Sequence, residues 1–156
     1  MKPVIWLVSI LFSLTCAKNV EIREDGLVKI YWDLNGMKQD DPELIQIIKE
    51  EILVPPDGAK LNLTYEPSAK AIKGQYGQVN DAERILKIKE NKKTGFFIEA
   101  GAACGEYISN TLYFELLYGW TGLLVEPDPN MLKQLYTKHR NAWIFPHCLS
   151  TSVGTG

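Results

Sequence analysis

The sequence predicts an α/β fold, the first half of a doubly wound parallel sheet. Three observations predict it. Short apolar runs at 96–100, 123–126 and 142–145 have the texture of strands buried on both faces, as in parallel sheets. Helical stretches at 106–118 and 130–139 lie between them, which gives the order strand, helix, strand, helix, strand. Each connection is marked by turn residues, at 101–105, 119–122 and 127–129.

The composition agrees with a folded chain. The length of 156 residues suits one domain, and 46% apolar, 23% charged and 10% aromatic residues exclude a disordered, collagenous or coiled-coil protein. The formal net charge of −2 offers no basic excess for nucleic acid or an anionic membrane surface. Three cysteines are too few for a disulfide framework, and their number is odd.

Residues 1–17 stand apart. Lys2 precedes the uncharged stretch 4–16, and Thr15, Cys16 and Ala17 offer small residues for cleavage before Lys18. The pattern is that of a secretory signal peptide. A buried core segment and an uncleaved membrane anchor are the alternatives, although 4–17 is short of the roughly 20 residues of a spanning helix. The sequon Asn62-Leu63-Thr64 suits the same compartment and makes Asn62 a candidate glycosylation site.

Residues 18–94 read as an N-terminal helical and irregular segment. Residues 18–41 show little regularity, apart from a candidate strand at 27–32. Asp41, Pro42 and Glu43 start a helix that runs to about Leu53, with Leu44, Ile47, Ile48 and Ile52 on one face. Pro55 to Gly58 end it, and a polar connector continues to residue 79. Asn80 and Glu83 have the spacing of a capping box for a second helix, whose apolar side is Ile85, Leu86 and Ile88. The break before Gly95 marks the main boundary, and 95–156 forms the α/β domain. Three parallel strands are half of a doubly wound sheet and leave a central strand as a bare edge. The expectation is therefore a C-terminally truncated domain.

The chemistry concentrates at the strand ends. Glu99 ends the first strand and is followed by Gly101 and Gly105, the pattern E-x-G-x-x-x-G. An acidic strand end can hold an amine, the first glycine permits a tight turn, and the second permits close approach of a ligand to the helix. The pattern differs from the dinucleotide fingerprint, and glycines also serve plain turns. Glu126 ends the second strand, where a carboxylate can accept from two ribose hydroxyls. Both carboxylates then lie along the crevice at the carboxyl edge of the sheet. A nucleoside without a diphosphate, bound by amine and ribose, describes S-adenosyl-L-methionine.

The stretch 95–152 resembles FkbM-type methyltransferase domains, in the animal Star-like branch. The matching residues are Gly105-Glu106, 109–115, 122–127 and 148–150, together with 39–42 and Pro55-Pro56 upstream. The resemblance covers about residues 38–152. It implies a seven-stranded class I S-adenosylmethionine-dependent methyltransferase fold of which three strands are present, an O-methyltransferase activity, and an incomplete, inactive chain as given. It also implies that Glu99, Gly101 and Gly105 line the methionine end of the cofactor, that Glu126 binds the ribose, and that Cys148 and Leu149 flank the adenine. Catalytic groups would sit on a fourth strand. Star-like sequences commonly carry Asp where this chain has Cys104. The same branch implies a second function, non-catalytic transport of secretory or membrane cargo proteins from the endoplasmic reticulum through Golgi and endosomes.

The remaining candidates read structurally. His139 sits at the C-terminus of the helix 130–139, where a cation is favourable. His147 and Cys148 have no further ligands at metal spacing. The implied strand order 3-2-1 separates Cys104 from Cys148 by a strand, about 9–10 Å, beyond the usual disulfide reach. Ser150, Thr151 and Ser152 form a loop without a paired base, and Tyr113, Phe114, Tyr118 and Trp120 are core aromatics.

Overall fold

A computed structural model describes residues 17–22, 28–32, 37–65, 74, 76–91 and 94–149. The expected leader, apart from Ala17, and the loop 150–152 lie outside these residues. The chain divides after Leu44 into two units, the second being Ile45–Thr151.

In the first unit β1 (Ala17–Ile22) pairs antiparallel with β2 (Val28–Trp32), with Ile22 opposite Val28. β2 falls on the expected strand. β1 falls on a stretch read as irregular, because Lys18, Asn19 and Glu21 carry little strand propensity of their own and pairing supplies the order.

The helix α1 (Pro42–Ile47) begins as expected, with Asp41 Oδ1 accepting from the Glu43 N–H at 2.9 Å. Residues Ile48–Ile52 then form a π-helical turn, closed by Leu53 N–H to the Ile48 carbonyl at 2.8 Å. The next helix corrects the expected cap. α2 (Gln78–Ile85) starts after Gly77, whose φ of 83° suits only glycine, and Asn80 lies inside the first turn. Its buried face is Val79 and Glu83, whereas Ile85 and Leu86 are exposed. Leu86 and Lys87, the latter at φ 50°, break the helix before α3 (Ile88–Asn91), and this break turns Ile88 inward.

The sheet follows. β3 (Phe96–Ala100), β4 (Thr121–Val125) and β5 (Ala142–Phe145) are parallel in the order β3-β4-β5. The crossovers carry α4 (Leu112–Tyr118) and α5 (Pro129–Tyr136). The α/β class and the open parallel half-sheet are therefore observed. One core cluster joins Phe97 and Leu124 of the sheet to Leu132 and Leu135 of α5, and another joins Val79, Ile88, Leu112, Tyr113 and Phe114. The aromatic expectation holds, with Phe114 stacked on Trp120 at 5.0 Å between ring centroids. Residues 45–91 contribute to this unit directly, since Val54 pairs with Ile144 and Val79 enters the second cluster.

Two expectations are corrected here. Residues 106–111 are turns, and α4 begins only at Leu112, because Ser109, Asn110 and Thr111 give their hydrogen bonds to Glu99 and Ile108 sits at φ 54°. The strands are also not buried on both faces. β3 alternates, with Phe97 and Glu99 inside and Phe96 and Ile98 outside at 61% and 65% exposure. Trp143 of β5 shares the outer face, where Lys49 and Leu53 complete an apolar cleft of about 420 Å³.

Candidate functional site at the carboxyl edge of the sheet

The loop from β3 to α4 is tied to the end of β4. Gly101 and Ala102 both donate to the Val125 carbonyl, at 2.9 and 3.0 Å. Gly101 adopts φ 77°, and a Cβ there would meet nothing within 4 Å, so its side opens onto free space. Ala103 holds φ 48° and donates its N–H to Glu126 Oε2 at 2.7 Å. Glu126 Oε1 accepts from the Asp128 N–H at 2.9 Å. Glu126 is thus buried at the end of the central strand with two of its four acceptor sites in use.

Glu99 is bound more completely. Oε1 accepts from the Asn110 N–H at 2.7 Å, and Oε2 accepts from the hydroxyls of Ser109 and Thr111 at 2.8 and 2.5 Å. Ser109 Oγ in turn accepts the N–H groups of Thr111 and Leu112, the free donors at the start of α4. Glu99 therefore fixes the far end of the loop. The place of a Cβ on Gly105 is taken by Leu135 of α5, so that glycine serves packing of the loop on the helix. Cys148 is exposed and Leu149 is 57% exposed, just beyond the carboxyl end of β5. Cys104 is half-buried, and both cysteines are free thiols. The structure thus joins Glu99, Gly101, Gly105 and Glu126 through one loop, whereas Asn62 lies against the end of α5.

Sequence reasoning passed over the ion pairs beneath this loop. Arg140, fully buried, donates through Nε to Glu115 Oε2 at 2.7 Å, and its other nitrogens reach the Gly105 carbonyl and Thr111 Oγ1. Lys138 bonds Glu106 at 2.6 Å and Thr64 Oγ1 at 2.5 Å. Glu106 also accepts the N–H groups of Thr64 and Tyr65. Burial opposes the charge of Glu106, but the Lys138 ammonium and the two N–H donors outweigh it and hold the carboxyl below its usual range. The pair borders a cleft of about 370 Å³ that also takes in Cys104, Tyr107 and Met131. The sequence signal for the two cations was a basic cluster, Lys138-His139-Arg140, after a helix. It contains two buried ion-pair cations, whereas His139, two residues past the C-cap Thr137, meets exposed Asp57 at 2.7 Å.

None of the family models, curated proteins and solved structures compared with the chain matches it.

Proposed function

We propose that the chain carries an FkbM-type, class I methyltransferase domain of the Star-like branch. It works in the secretory pathway, and the complete domain binds S-adenosyl-L-methionine for transfer of a methyl group to an oxygen acceptor. The observation that carries this reading is Glu126. It stands at the carboxyl end of the central strand, beside the glycine loop, with two acceptor sites left for a ribose diol. The open side of Gly101 gives room for the methionine end. Exposed Leu149 and Cys148 offer an apolar flank to adenine. Glu99 keeps the loop in place rather than meeting the ligand with a full carboxylate. When bound, the cofactor supplies an electrophilic methyl carbon; this chain's residues bind and orient it.

A second reading has its own support. Glu99 has three of four acceptor sites filled, so it offers little to the cofactor's ammonium group, and Cys104 is a free cysteine in the same loop where Star-like sequences commonly carry Asp. Those features suit a non-catalytic factor that escorts cargo proteins between endoplasmic reticulum, Golgi and endosomes.

Calorimetry with S-adenosylmethionine separates the two. The wild-type chain is expected to bind, and Glu126→Ala to weaken binding by about 1.5–3 kcal/mol, the worth of hydrogen bonds to a charged group. Circular dichroism of the variant establishes that it is folded. No heat from the wild-type chain at millimolar cofactor rejects the methyltransferase reading in favour of transport.

A further inference from the structure

The sequon is not a loose surface loop. Asn62 N–H donates to the Lys138 carbonyl at 2.9 Å, and Asn62 Nδ2 donates to the Thr137 carbonyl at 3.0 Å. Two residues on, Thr64 N–H and Tyr65 N–H donate to the two oxygens of Glu106 at 2.9 and 2.7 Å. Lys138 Nζ donates to Thr64 Oγ1 at 2.5 Å while it pairs with Glu106. Both side chains that define the sequon are therefore committed to the C-cap of α5 or to the buried ion pair behind it.

We propose that Asn62 receives an N-linked oligosaccharide only before residues 62–65 dock on α5, and that the Glu106–Lys138 pair closes the sequon once the chain folds. The proposal rests on the secretory-pathway reading. In the transfer, Nδ2 forms a bond to the anomeric carbon of a polyprenyl-diphosphate-linked oligosaccharide. The bond from that carbon to the diphosphate breaks, the polyprenyl diphosphate leaves with the electron pair, and Nδ2 gives up one proton to solvent. The step requires Asn62 Nδ2 and the Thr64 hydroxyl to be presented together to the transferase. In the folded chain the first is bonded to the Thr137 carbonyl and the second to Lys138. Docking therefore competes with modification. Modification does not prevent docking, because Asn62 is exposed and a glycosylated amide keeps one N–H for the Thr137 carbonyl.

The test uses the unmodified full-length chain with a purified oligosaccharyl transferase and its lipid-linked donor. The native chain is expected to be modified at least tenfold more slowly than the same chain in urea compatible with transferase activity. Asn62→Gln abolishes modification in both states. The double variant Glu106→Gln with Lys138→Met, which leaves no lone buried charge, is expected to approach the unfolded rate while circular dichroism shows retained helix and sheet. Equal rates for native and unfolded wild type overturn the proposal, as does an unfolded chain that is never modified. Translation with microsomes separates this from the location. A chain left open to added protease overturns the secretory reading and with it the modification in the cell. A protected chain without a glycosidase-sensitive mass shift overturns the modification alone.

Discussion

Glu106 shows how one buried residue can serve several parts of the chain. It neutralises Lys138 and satisfies two backbone donors in the 62–65 segment, so its charged form is worth more in the folded state than in the unfolded one. Glu83 is placed alike. Burial disfavours its charge, yet the hydroxyls of Tyr118 and Tyr113 and the Lys89 ammonium hold its carboxyl low. Burial first, and then the Glu83 carboxylate, push both tyrosine hydroxyls above their usual range. A carboxyl lowered on folding stabilises the protein fully above its unfolded value, near 4.5, and loses that contribution as the pH falls through the folded value. The urea midpoint should thus be level from neutral pH to about 5 and fall steeply below about 4.5. Glu106→Gln should lower the unfolding free energy at pH 7 by about 1–3 kcal/mol and make the acid limb shallower, since it removes one titrating group and weakens a buried pair. An unchanged acid limb would show that Glu106 is not linked to folding.

At the scale of elements, capping residues decide where the helices sit. Asp128 accepts the N–H groups of Asn130 and Met131 at 2.7 and 3.2 Å, and Pro129 follows at the first helical position. Asp128 itself donates its N–H to Glu126, so the start of α5 and the candidate ribose carboxylate are one hydrogen-bonded turn. Asp128→Ala should cost about 1 kcal/mol of stability by urea unfolding, the usual worth of such a cap. If the turn also positions Glu126, the variant will weaken cofactor binding beyond that cost. A binding constant equal to wild type would limit Asp128 to capping. The start of α4 is managed differently. No cap follows from the sequence around Glu106, and the helix waits until Ser109 Oγ can take its free N–H groups under the hold of Glu99.

Across the sheet's unit, the helices α4 and α5 with the loop above them cover one face, and the other keeps large apolar side chains in solvent. Phe96, Ile98 and Trp143 are 61%, 65% and 40% exposed, on a parallel sheet of a kind ordinarily covered on both faces. The outer edge of β3 has no strand partner among the described residues, and its outward side chains carry no charge. The purified chain should therefore associate as concentration rises, seen by size-exclusion chromatography. Ile98→Lys should suppress that association while changing stability by no more than about 0.5 kcal/mol, as expected of an exposed position. A wild-type chain that stays monomeric at every concentration would contradict this view of the face.

The α/β class, the three strands and their connecting helices were legible in the sequence, because each depends on local signals: apolar runs, capping residues, glycine and proline. Glu99 and Glu126 could be placed at strand ends for the same reason. What the carboxylates bind could not be read there. Their partners, Ser109 to Thr111 for one and Ala103 for the other, are chosen by how the loop after β3 folds back over the end of β4. Buried charges were hidden most completely. Lys138 and Arg140 look like a solvated basic run, and only the packing of α5 against residues 62–65 and the loop 105–111 takes them out of water and gives them Glu106 and Glu115. Sequence patterns report what a residue does for its neighbours along the chain. A carboxylate's partner across 30 residues is settled by the geometry of the folded sheet, since desolvation makes an ion pair obligatory only once burial has occurred.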